Sequence, residues 1–208
     1  MKNIAVLVSG GGTNLQALID AANNGEIING KIACVISSRD NVYALQRAKN
    51  ADIPAEVVSR KSFSSAEQFD EALLKCIKKY NADIIVMAGF LCIVGQNIIK
   101  EYPNKIINIH PSLIPSFCGD GFYGLKVHKA ALDYGVKVSG ATVHFVNEIT
   151  DGGTIILQKA VEIQEGDTPE ILQKRIMEQA EWKLLPKAVS LVCQDKVKVI
   201  GNRTIIEE

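Results

Sequence analysis

The chain has 208 residues, 47% of them hydrophobic, and carries 23 basic and 23 acidic side chains for a formal net charge of zero. That length suits one generous domain, or one domain with an extension, and the balanced charge leaves no global basic field to recruit nucleic acid. Five scattered cysteines without a C-x-x-C pair fit reduced thiols in the cytoplasm better than a disulfide framework, and no stretch reads as a signal peptide or membrane span.

The expected partner is therefore a small molecule at a local site. The first apolar run, Asn3–Val8, is short and rich in β-branched residues, as a strand buried on both faces would be. Ser9-Gly10-Gly11-Gly12-Thr13-Asn14 follows, then a helical pattern through Leu15, Leu18, Ile19 and Ala22 that stops at Asn23-Asn24-Gly25. Ile32–Ile36 reads as a second strand, Tyr43–Asn50 as a helix and Ala55–Val58 as a third strand. Ser64-Ser65-Ala66-Glu67 has the form of a capping box opening a helix whose apolar face is Phe69, Leu73, Cys76, Ile77 and Tyr80. Asp83–Met87 is the fourth strand, Gly95–Glu101 a short helix, and Ile106–Ile109 the fifth strand. This alternation over residues 1–110 predicts a parallel, doubly wound sheet.

The pattern then changes. Phe117–Gly124 is a glycine-rich loop too long for a plain connection, and such loops are more often functional than decorative. A helix is predicted over Leu125–Tyr134, followed by strands Val138–Val146 and Ile155–Ile163 joined across Asp151-Gly152-Gly153. In the first of these strands Val143 and Phe145 alternate with Thr142 and His144, giving one apolar and one polar face. Thr168-Pro169-Glu170 starts a helix that runs past Trp182 to about Val192, with a break or kink expected at Pro186. Val197–Ile200 and Thr204–Ile206 form a terminal hairpin. The expected fold is α/β: an open, mostly parallel, Rossmann-like doubly wound sheet with C-terminal antiparallel strands and a long C-terminal helix. Residues 1–208 form one domain, with a phosphate-binding βα half to about 110 and a loop, hairpin and helix half beyond it.

Three constellations carry chemistry. Asn108 and His110 stand at i and i+2, so an extended strand puts an amide and an imidazole on one face. Pro111 ends ladder pairing at once, which places both at the carboxyl end of the fifth strand, where open α/β sheets bind ligands. The Ser9–Asn14 turn joins a strand to a helix. Its glycines admit close backbone approach, the helix N-terminus adds partial positive charge, and Thr13 and Asn14 add donors, a combination suited to a phosphate monoester. Leu15 stands where the dinucleotide fingerprint needs Gly, and Thr13 where a P-loop needs Lys, which disfavours a nucleotide cofactor. The third constellation, Asp151-Gly152-Gly153, is, taken alone, better explained by a turn than by catalysis. His128 falls on a helix face, and His144 on the polar side of a strand suits a local hydrogen bond. No metal-ligand spacing occurs, so no metal site is expected.

Taken together, Ser9–Gln16, Met87-Ala88-Gly89-Phe90, Asn108-Ile109-His110-Pro111-Ser112-Leu113-Ile114-Pro115, Thr142–Val146 and Asp151-Gly152-Gly153 resemble, in residues and in order, the folate-dependent formyltransferases. The resemblance runs from residue 2 to about 190, and the Ser9–Asn14 loop with the compact length points to the phosphoribosylglycinamide formyltransferase family. It implies formyl transfer from 10-formyltetrahydrofolate to glycinamide ribonucleotide in purine biosynthesis. It also implies that Asn108, His110 and Asp151 are catalytic, that Gly12, Thr13 and Asn14 hold the ribonucleotide phosphate, and that Glu181 touches the ribonucleotide. Leu91, Cys92, Ile93 and Val94, with Asn108, would line the folate pocket. Cys92 and Ala66 stand where such proteins often have Arg, and Gly11 where Asn is frequent, so polar folate contacts do not carry over. The implied assembly is a monomer or homodimer.

The chemistry is coherent on its own terms. A neutral amine attacks a formyl carbon; Asn108 and protonated His110 can donate to the resulting oxyanion, and His110 can move the proton. A carboxylate at Asp151 is expected to favour the charged imidazole. Competing readings are a methionyl-tRNA formyltransferase, expected to carry a C-terminal domain and basic surface, and a formyltetrahydrofolate hydrolase, expected to carry an N-terminal regulatory domain. A non-catalytic phosphate-binding protein is a third, although it has no use for Asn108, His110 and Asp151 together.

Overall fold

The structure, a computed structural model, describes residues 1–207. Its main sheet has seven strands: β1 (Lys2–Val8), β2 (Gly30–Ser37), β3 (Ala55–Val57), β4 (Ile84–Met87), β5 (Ile106–His110), β6 (Val138–Phe145) and β7 (Ile155–Glu162). Their spatial order is β3-β2-β1-β4-β5-β6-β7. The first five run parallel, whereas β6 pairs antiparallel with β5 and β7 with β6. The helices are α1 (Thr13–Asn23), α2 (Tyr43–Asn50), α3 (Ala66–Lys79), α4 (Gln96–Glu101), α5 (Leu125–Tyr134), α6 (Pro169–Ile176) and α7 (Trp182–Cys193). A separate hairpin, β8 (Val197–Ile200) with β9 (Arg203–Ile206), is tied to the main sheet where the Thr204 hydroxyl donates to the Ile155 carbonyl at 2.8 Å.

The period of two in β1 explains the layering. Ile4, Val6 and Val8 pack with α1 and α7 on one side of the sheet, while Ala5 and Leu7 pack with α3 and α4 on the other. Residues 4–8 are all fully buried, as a continuous apolar strand between parallel neighbours requires. Among the described residues no helix is long and apolar enough to cross a membrane.

Two local expectations shift. The cap of α3 is Ser65, whose hydroxyl accepts from the Gln68 N–H, one residue later than the Ser64–Glu67 pairing. Ser64 is not lost to the cap, since its hydroxyl donates instead to Gln68 Oε1 at 2.8 Å. Pro186 does not break the C-terminal helix: it lies buried within α7, where Leu185, Ala188 and Val189 fill the core and offset its missing N–H. The irregularity falls earlier, in a π turn over Met177–Glu181 that joins α6 to α7.

Candidate active site

At the carboxyl edge of the sheet, β5 presents Asn108 and His110 as the i, i+2 spacing predicts. The register of β5 against β6 sets His144 directly across from Asn108. His144 Nδ1 lies 2.8 Å from the Phe145 carbonyl and so carries the proton that donates to it, leaving Nε2 to accept from Asn108 Nδ2 at 3.1 Å. That contact orients the amide, and its nitrogen lies 3.5 Å from Asp151 Oδ1.

Asp151 arrives on the β6–β7 connection in a left-handed conformation, φ 54°, which Asp tolerates better than most residues. Behind it the chain passes so close to β6 that a Cβ on Gly153 would meet the Phe145 carbonyl oxygen at 1.8 Å. The Asp151 carboxylate is thereby held over β5. Its Oδ2 lies 3.4 Å from His110 Nδ1 and accepts the Gly119 N–H at 2.9 Å. His110 Nε2 in turn donates to the Phe117 carbonyl at 2.9 Å. The glycine-rich loop, which contains Phe117–Gly124, therefore grips both the imidazole and the carboxylate.

His110 is 4% exposed. Burial drives its pKa below the ordinary imidazole value, and the nearby His144 ring adds to this. Asp151 and the Phe117 carbonyl pull the other way without prevailing. The carboxylate expected to favour the charged form is in place and acts in that direction, but desolvation is the larger effect and the net shift is downward. For Asp151 burial works to raise the pKa, yet the His144 ring, the His110 imidazole and the Gly119 N–H together hold it below the usual carboxylate value.

Two further histidines belong to this region. His144, expected to bond only locally, also touches Asn108 and lies 3.6 Å from Asp151. His128, on α5, is fully buried with neither ring nitrogen hydrogen-bonded; burial, with His110 nearby, pushes its pKa down to about 4. The polar alternation of β6 hinted at His144, but no local signal marked His128.

The Ser9–Asn14 turn lies at the end of β1. Gly12 has φ 74°, and a Cβ there would stand 2.7 Å from Ala44 Cβ, so both conformation and space require glycine. Arg47 braces the turn by donating to the Gly11 carbonyl at 2.9 Å. Asn14 Nδ2 donates to Glu181 Oε2 at 2.6 Å, while its Oδ1 is buried without a partner. Glu181 is delivered by the π turn and buried, and burial lifts its pKa to about 7 although Asn14 works against the rise. The Thr13 hydroxyl is turned toward Met177 Sδ, 3.7 Å away.

These groups converge on a cavity of about 720 Å³ whose walls include Asn14, Glu181, Asn108, His110 and Asp151. Leu91, Cys92, Ile93 and Val94 line it as well, with Leu91 and Ile93 exposing apolar surface. Gly12 and Thr13 are not in its wall: Thr13 borders a smaller hollow with Arg47 and Trp182. Ala66, at the start of α3, does not line the cavity either.

Such an edge, with an amide, an imidazole and a carboxylate over one ligand-sized cavity, is equipped for proton transfer and oxyanion stabilisation, as an enzyme's active site is. A family model described as formyl transferase matches residues 2–189, and the chain belongs to that family. It is 40% identical over 207 residues to the phosphoribosylglycinamide formyltransferase of Haemophilus influenzae, covering 100% of this chain and 94% of that one. The crystal structure of glycinamide ribonucleotide transformylase 1 from Symbiobacterium toebii superposes with a TM-score of 0.94 at 41% identity, over 100% of this chain and 95% of that one. A formyltetrahydrofolate deformylase from Pseudomonas syringae superposes with a TM-score of 0.89 at 28% identity, but this chain covers only 66% of its length.

Proposed function

We propose that the protein transfers a formyl group from 10-formyltetrahydrofolate to the amine of glycinamide ribonucleotide, as the names of its full-length relatives suggest. The observation that carries the catalytic part is the convergence of Asp151 with residues some forty positions earlier. It stands 3.4 Å from His110 and 3.5 Å from Asn108 in the cavity wall. A turn residue alone has no need of either contact.

The Asn108 amide, held by His144, donates to the formyl oxygen as it becomes an oxyanion; one such donor is worth on the order of 10²–10³ in rate. Both ring nitrogens of His110 face acceptors, the Phe117 carbonyl and the Asp151 carboxylate, so a proton taken up by the ring is stabilised on both sides. A His110 that is neutral at rest can take a proton from the attacking amine and return it to the departing folate nitrogen, with Asp151 steadying the charged form. For Nε2 to donate to the oxyanion, its bond to the Phe117 carbonyl must give way to the substrate oxygen.

The apolar Leu91–Val94 segment suits the flat folate ring system. Asn14, Glu181 and the backbone N–H groups at the start of α1 suit the ribonucleotide. Both halves of residues 1–208 contribute to this one site, in keeping with a single formyltransferase domain. The deciding experiment mixes the protein with 10-formyltetrahydrofolate and glycinamide ribonucleotide and follows formyl-product formation. Formate release without transfer would instead mean hydrolysis, and no turnover of either kind would remove the proposal.

A further inference from the structure

We infer that Arg39 is the cationic side chain that recognises the phosphate of the ribonucleotide, and so sets specificity for a phosphorylated amine. This rests on the activity proposed above. Arg39 follows β2, and among the described residues it is the one lysine or arginine in the wall of the 720 Å³ cavity. The same wall carries four carboxylates, from Asp120, Glu148, Asp151 and Glu181. A phosphate monoester entering so acidic a space needs a counter-charge, and the backbone N–H groups of the Ser9–Asn14 turn supply only partial charges.

The position fits the substrate's shape. β2 is the neighbour of β1, so Arg39 leaves the sheet one strand away from the glycine turn. The turn is tied to it, since the Ser9 and Ser38 hydroxyls lie 2.6 Å apart and the Ser38 N–H donates to the Val8 carbonyl at 3.0 Å. His110 leaves the sheet from β5, two strands beyond β1 on the opposite side. The phosphate and the reacting amine occupy opposite ends of the ribonucleotide, matching Arg39 and the glycine turn at one end with His110 at the other. Among the described residues the guanidinium is also uncommitted: the hydrogen bonds of Arg39 are made by its backbone with the Ser37 hydroxyl, and no ion pair engages its side chain. Arg47, also near the turn, is already occupied with the Gly11 carbonyl and Gln16 Oε1. A free planar fork, carried one strand away from a turn rich in N–H donors, can bind phosphate oxygens in pairs.

The test compares the full-length protein with Arg39→Gln and Arg39→Lys. Loss of one charge-assisted pair should raise KM for the ribonucleotide by about 10- to 100-fold. The KM for the folate and the melting temperature should hardly move, and Lys should recover part of the loss. The slope of kcat/KM against ionic strength should flatten in the Gln variant. In parallel, titration calorimetry with inorganic phosphate reads the site without any turnover. Weaker phosphate binding by Arg39→Gln supports the assignment even if glycinamide ribonucleotide proves not to be the substrate. Unchanged phosphate binding and ribonucleotide KM overturn it, as does a rise confined to the folate KM, which would make Arg39 a partner of the folate's carboxylates.

Discussion

Glu181 is buried in the cavity wall, and burial lifts its carboxyl from the ordinary 4.5 to about 7. In the unfolded chain the same group loses its proton near 4.5, so between these two values folding must either hold the proton or bury the charge. The stability that Glu181 contributes is therefore greatest below pH 4.5, declines as pH rises toward 7, and settles at its lower level above that. From the two pKa values the penalty is about 1 kcal/mol at pH 5 and about 3 kcal/mol at pH 8. Glu181→Gln keeps the shape and an acceptor for Asn14 Nδ2, and the added amide can donate where Asn14 Oδ1 is buried without a partner. The variant should gain that penalty back, in a chain of this size a rise of roughly 6–12 °C in melting temperature at pH 8 and a far smaller one at pH 5. Thermal melts at the two pH values, followed by circular dichroism, read the difference directly. An equal shift at both, or none at pH 8, would show that Glu181 is not a charge forced into the core.

His110→Ala should stay folded and lose about 10²–10⁴-fold in kcat, the usual worth of a placed acid–base group; near-wild-type turnover would reduce His110 to a strand end. Asp151→Asn keeps a residue that tolerates φ 54° but loses the charge facing His110, so activity should drop strongly with little change in melting temperature. Because that carboxylate works to raise the His110 pKa, the limb of the pH–rate profile that reports His110 should move to lower pH; an unshifted profile at full activity would return Asp151 to the turn. Gly12→Ala should cost about 1–3 kcal/mol, since it meets both a left-handed φ and a clash with Ala44, and a melt equal to wild type would contradict that geometry.

The strand and helix order was legible in the chain because each element carries its own period and punctuation. The apolar run from Ile4 to Val8 declares a strand covered on both faces, and Pro111 marks where β5 must stop pairing. The same local rules put Asn108 and His110 on one face at the ligand-binding edge. They erred by one residue at the α3 cap, where Ser64 and Ser65 are adjacent candidates and only the observed bond to Gln68 chooses between them. They also set the irregularity of the C-terminal helix at Pro186, because a prolyl ring is visible in sequence and a π turn is not.

What the chain could not declare were quantities that belong to three dimensions. His144 enters the site through its register opposite Asn108 across two strands 36 residues apart, and no local pattern carries that register. His128 reads as any helical histidine until α5 packs it out of solvent beside His110. The sign of the His110 shift is of the same kind: composition shows that a carboxylate is available, but burial, the larger effect, exists only once the Phe117–Gly124 loop and β6 have closed around the ring. Residue type and spacing determined the order of the elements and which polar side chains reach the carboxyl edge of the sheet, because backbone sterics and hydrophobic periodicity act locally. Desolvation and long-range register determined how those side chains are oriented and charged, because both are set by neighbours that only the folded chain brings together.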